Sequence, residues 1–129
     1  MKKFTDIDWN FDNDNFSIMN KSDILISDFS SIIFDYSFIF ERPVIYADTD
    51  FDTSTFDADW IDEPLWAEKV LPKIGLKLKE NDFGNISNII KELIDNKTLS
   101  TDRNNISNEC WFYKGEATKR IMDYLLNKQ

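Results

Sequence analysis

A chain of 129 residues, 42% hydrophobic and 15% aromatic, fits one domain with a real core. Its net charge of −9 and pI near 4.4 exclude general nucleic-acid binding through a basic surface, and they disfavour unaided polybasic attachment to anionic lipid. With no histidine and one cysteine, Cys110, Ser–His and Cys–His catalysis, His-built zinc sites and an internal disulfide are excluded within the chain.

No apolar run approaches the roughly 20 residues that span a bilayer. Met1-Lys-Lys is not followed by an apolar stretch, so it does not read as a signal peptide. Residues 1–13 read as a polar, acidic lead-in, a solvated arm rather than an edge strand. Phe16, Ile18 and Met19 predict a short helix ending near Lys21.

The stretch from Asp23 to Asp35 organises the chain. Ile24, Leu25 and Ile26 form a short apolar run, as in strands buried on both faces of a parallel sheet. Ser27 and Asp28 end it, Ser30 is a good N-cap, and a nearly all-apolar helix is expected over residues 30–40. Pro43 then opens a strand over residues 44–47, which completes a compact strand–helix–strand unit. Ligands of such sheets sit beyond the carboxyl ends of the strands. Ser30 and Ser31 at the start of the helix can donate to a phosphate there; the plain alternative is that they only cap the helix. Asp35 has two readings as well, a carboxylate that favours the helix dipole and pairs with a cation, or support for the phosphate loop.

The string Ser22-Asp-Ile-Leu-Ile-Ser-Asp-Phe-Ser-Ser-Ile-Ile-Phe-Asp-Tyr36, followed by Arg42-Pro-Val-Ile-Tyr46, resembles the nucleotide-binding half of the CDP-glycerol glycerophosphotransferase family. The resemblance runs almost continuously over residues 22–46. It implies an α/β, Rossmann-like three-layer partial domain, the C-terminal part of a transferase of GT-B type. It also implies a CDP-glycerol or similar nucleotide donor, a lipid-linked polymer acceptor and no cofactor. Ser30 and Ser31 would bind the donor phosphates, and Ser27 and Asp28 would support the loop or meet a donor hydroxyl. Asp35 and Asp48 would stand behind them. The histidines tied to catalysis in that family lie upstream of the motif, so a missing N-terminal domain or a partner chain is expected to supply them. A cytoplasmic location, with peripheral attachment at the inner face of the membrane, follows from the acceptor. Two rivals are kept: a non-catalytic nucleotide-binding or interaction remnant, and part of another nucleotide-sugar transferase.

After residue 47 comes an acidic loop. Asp48 and Asp50 also suggest a dehalogenase-type nucleophile pair, and Asp48, Asp50 and Asp52 a calcium loop, but Thr53 and Asp59 stand where the calcium loop needs Gly and Glu. Residues 60–78 hold Trp60, Leu65, Trp66, Val70, Leu71, Ile74 and Leu76, which Pro64 and Pro72 are expected to break into short pieces. Trp66 reads as core or as a platform for a base. Ile86, Ile89, Ile90, Leu93 and Ile94 predict an amphipathic helix over 82–96. Two further helices are expected over 100–110 and 115–127. Ala117, Ile121, Leu125 and Tyr124 would form the inner face of the last, and Cys110 is read as a buried structural thiol. The whole is laid out as a lead-in (1–13), the phosphate-loop unit (14–47), an acidic and irregular region (48–80) and C-terminal helices (81–129).

Overall fold

Three short strands, each followed or preceded by a helix, build a parallel sheet in a computed structural model that describes residues 6–11, 14–28, 30–47, 60 and 62–127. Helix α1 (Phe16–Met19) leads into strand β1 (Leu25–Ser27), helix α2 (Ile32–Ile39) and strand β2 (Val44–Ala47). Helix α3 (Trp66–Ile74) runs directly into strand β3 (Gly75–Leu78). A 3-10 helix (Glu80–Asn85) precedes α4 (Ile86–Ile94), α5 (Lys97–Cys110) and α6 (Ala117–Leu126).

The strand order is β1-β2-β3, with Leu25 beside Val44 beside Gly75 and Ser27 beside Tyr46 beside Lys77. Side chains alternate across a strand. One face therefore carries Leu25, Val44 and Tyr46, which join the core with Ile33, Tyr36 and Phe38 of α2, Val70, Leu71 and Ile74 of α3 and Ile106 of α5. Each of these side chains contributes about 1.5–3 kcal/mol by leaving water. On the other face Ile45 is buried but its neighbour Ile26 is half-exposed. The expected α/β class holds: α2, α3 and α5 pack on one face of the sheet, and on the other face Ile45 is also buried.

The strand–helix–strand unit forms as expected: β2 keeps its expected bounds and α2 is slightly shorter than residues 30–40. Tyr36 pins it: its ring is fully buried and its hydroxyl donates to the Ser22 carbonyl at 2.7 Å. Burial pushes the phenol above its ordinary range, against the pull of Arg42.

Residues 60–78 depart from expectation. Pro72 does not break the chain but lies in the last turn of a continuous nine-residue helix. A proline costs an interior helix one N–H bond and a clash four residues back; here Val70, Leu71 and Ile74 anchor the last turns in the core. The third strand was also unforeseen, because four residues are too few for alternation to register. Gly75 explains how it packs. A Cβ at that position would overlap the carbonyl and the side chain of Val44, so only glycine lets β3 approach β2 this closely.

The C-terminal region brings two corrections. Cys110 is exposed, not buried, because it sits at the last residue of α5 where the chain leaves the core. Helix α6 has no inner face: none of its residues is buried, and Ile121, Tyr124 and Leu125 are all more than half exposed. Helix α5 starts earlier than expected, at Lys97. The Asn96 side chain caps it by accepting from the Leu99 N–H at 3.1 Å.

Candidate functional site

The turn between β1 and α2 lies at the carboxyl edge of the sheet. Ser27 ends the strand half-buried, Asp28 is exposed on the rim, Ser30 is half-buried and Ser31 is exposed. Ser31, not Ser30, occupies the N-cap position of α2, and its side chain makes no capping bond. Ser30 takes part of that role through its Oγ, which accepts from the Ile32 N–H at 3.4 Å, the long end of the range. A hydroxyl that only accepts from the backbone keeps its own proton to donate. The Ile33 and Phe34 N–H groups are already bonded to the carbonyls of Ser30 and Ser31. Among the described residues, the donors left at the turn are therefore the two hydroxyls and the amides of Ser30 and Ser31.

These serines line a cavity of about 170 Å³ with Ile33 and Phe34 of α2 and Ala67 and Leu71 of α3. Ligand pockets for whole cofactors run to roughly 300–1,000 Å³. A cavity of this size has room for a group as small as a phosphoryl but not for a whole nucleotide. Trp66 stands at its rim, half-exposed, its ring centroid 5.0 Å from that of Phe34. Sequence reading named Trp66 and Leu71 but did not bring α3 to the phosphate turn. The spacing of Trp66, Val70, Leu71 and Ile74 is helical and was the signal available; the two prolines hid it.

The remaining expected site residues contribute less. Asp35 is exposed on α2 and makes no ion pair among the described residues, so the expected cation partner is not found there. Asp48, with the rest of the acidic loop, lies outside the described residues. No group of three or more potential metal ligands occurs among the described residues.

Two arginines gather at the opposite rim, where α2 returns to β2. Arg42 donates to the carbonyls of Met19, Asn20 and Ser22, closing the end of α1 and the entry to β1. Arg103 of α5 is buried and donates to the Glu41 carbonyl at 3.3 Å. Glu41 has φ of +54°, a left-handed conformation that costs a non-glycine residue about 1–2 kcal/mol. The Arg103 bond holds that turn in place. Burial pulls the Arg103 guanidinium below its ordinary range, partly opposed by the Glu41 charge. Its Nε and one Nη have no hydrogen-bond partner among the described residues. Neither arginine is at the serine turn, where the donors of the described residues are neutral hydroxyls and amides at the start of α2.

The family model described as CDP-Glycerol:Poly(glycerophosphate) glycerophosphotransferase matches residues 5–127. The chain belongs to this family. The match takes in the serine turn and, among the described residues, the three strands and six helices. No curated protein and no solved structure matches the chain. Membership carries glycerophosphotransferase-like function, a nucleotide donor such as CDP-glycerol and a polymer acceptor as the family's chemistry.

Proposed function

We propose that this chain is the donor-binding part of a transferase that moves glycerol phosphate from CDP-glycerol to a hydroxyl of a teichoic-acid-type or capsular polymer. The reading takes the sheet as the C-terminal, Rossmann-like half of a GT-B architecture. The observation that carries it is the pair Ser30 and Ser31, lining a phosphate-sized cavity at the carboxyl edge of a parallel sheet. In the reaction an acceptor hydroxyl attacks the β-phosphorus, the bond to the bridging oxygen breaks, and CMP leaves with the electron pair. The site's task is to hold the pyrophosphate and to meet the charge that builds on the leaving phosphate. The hydroxyls of Ser30 and Ser31 donate to phosphate oxygens. Asp28 does not share that role, since a carboxylate repels phosphate, and instead supports the loop or meets a donor hydroxyl. Ser27 supports the loop from the strand end. The half-exposed ring of Trp66 offers the cytosine a stacking surface.

The base that takes the acceptor proton is not a histidine of this chain, which has none; an N-terminal domain or a partner chain supplies it. That same fact favours the second reading, a nucleotide-binding remnant without chemistry. Action on a lipid-linked polymer puts the protein in the cytoplasm, at the inner face of the membrane.

Calorimetric titration with CDP-glycerol, CMP and a UDP-sugar tests the donor site. Saturable binding of the two cytidine nucleotides is expected, weakened at least about tenfold in the Ser30→Ala/Ser31→Ala variant, the loss expected from two hydrogen bonds to a charged group. Binding of the UDP-sugar alone would move the assignment to another nucleotide-sugar transferase. Absence of any nucleotide binding by the folded chain would remove the donor assignment altogether.

A further inference from the structure

The C-terminal segment has an exposure pattern unlike the rest of the protein. From Trp111 onward no described residue is buried, although the segment is rich in large apolar side chains. Phe112 is 80% exposed and Leu126 64%. At about 100° per residue, α6 gathers Ala117, Ile121, Tyr124 and Leu125 on one side, with Met122 at its margin and Leu126 on the far side next to Lys119. Lys119, Arg120 and Asp123 share the other. The aromatic run Trp111-Phe-Tyr113 sits just before the helix, and an open, apolar-lined pocket of about 450 Å³ lies between the end of α5 and the start of α6.

The charges are segregated too. In a chain of net charge −9, residues 111–129 hold Lys114, Lys119, Arg120 and Lys128 against only Glu116 and Asp123, a net positive tail. Two of these cations lie flat on the tail's own aromatics. Arg120 is centred 3.5 Å from the Tyr113 ring, and the Lys114 ammonium is 5.0 Å from that of Trp111.

We infer that residues 111–126 form an interfacial membrane anchor, with the apolar side of α6 and the aromatic run lying in the headgroup region of an anionic bilayer. An amphipathic helix of low overall hydrophobicity, with basic residues on its polar side and aromatic and aliphatic ones opposite, is the physical form of such an anchor. Aromatic rings with adjacent cations belong at headgroup depth, where one end is apolar and the other wet. Charge decides between this occupant and a second copy of the chain. Pairing two copies through α6 brings two net-positive segments together, whereas anionic headgroups complement them. The acidic body does not cancel the attraction, because charges farther than about 8 Å are screened at physiological salt.

Flotation of the full chain with vesicles tests this. Binding is expected to phosphatidylcholine vesicles containing phosphatidylglycerol, and to fall at high salt and on pure phosphatidylcholine. Lys119→Glu/Arg120→Glu is expected to weaken it by at least about tenfold, given roughly fivefold per basic residue at an anionic surface. Phe112→Ser/Leu125→Ser is expected to abolish it. All four positions are exposed, and unchanged circular dichroism would confirm that both variants fold. Failure of the wild-type chain to float with the anionic vesicles, or binding that neither variant weakens, would overturn the anchor. So would light scattering that finds a stable dimer dissociated by the Phe112→Ser/Leu125→Ser change. The donor titration of the same variants stays at wild-type affinity, so loss of lipid binding and loss of donor binding are separable.

Discussion

Helices α2 and α6 are near in length and both are rich in large apolar residues, yet they have opposite fates. α2 buries Ile33, Tyr36, Ser37 and Phe38. α6 buries nothing. The difference lies in what the chain does on either side. Strands β1 and β2 flank α2 in sequence and pair with each other, so their connection must fold back across the sheet. Among the described residues no strand flanks α6, and Gly115, with φ of +82°, makes the turn just before it. Apolar content alone therefore does not decide burial; the pairing of flanking elements does.

Substitutions can break or sharpen that contrast. The largest effect is expected for Tyr36→Ala, which removes a fully buried ring and its bond to Ser22, at a cost of about 3–5 kcal/mol in urea unfolding. A loss below about 1 kcal/mol would mean that α2 is not the anchor of the core. Gly75→Ala comes next. Its methyl has nowhere to go but into Val44, and about 1–3 kcal/mol of overpacking is expected from the same measurement. Should that variant be as stable as wild type, β3 would have to sit farther from β2 than this packing allows. The smallest effect belongs to Leu125→Ala, within about 0.5 kcal/mol, as for any surface position away from special features.

The pH dependence sharpens the same contrast. Tyr36 is neutral in the fold and its pKa is raised there. The unfolded chain ionises first, from about pH 10 upward, so stability is expected to fall above that pH. Tyr36→Phe should flatten the fall in a pH series of melting curves, and an unchanged profile would assign the alkaline loss to another group.

Much of this was legible in residues 22–47. There the apolar run, the serine turn and Pro43 each point to the same local structure, and the strands and helix came out where those signals put them. The position of the serines at the carboxyl edge of the sheet was legible for the same reason. What was not legible was the other wall of the cavity. Ala67 carries no chemical signal, and Leu71 reads as core until α3 is known to reach the turn. β3 hid behind Pro72 and its own brevity. Cys110 and the supposed inner face of α6 were misplaced for one reason: periodicity shows that a helix has an apolar side, but not that a second element is there to cover it. Asp35 failed similarly, since a helix position says nothing of whether a cation lies within reach.

Tyr36 and Arg42 both end on the carbonyl of Ser22, across sequence separations of 14 and 20 residues. Loop-closure entropy rises only with the logarithm of loop length, about 0.6 kcal/mol per doubling, and loops this short close in well under a microsecond. The knot that joins α1, β1, α2 and β2 thus costs little to tie and is almost wholly local. β3 costs more, because pairing Val44 with Gly75 encloses the acidic loop and all of α3. The serine turn hangs from the local knot, whereas the α3 wall of its cavity, Ala67 and Leu71, depends on the longer closure.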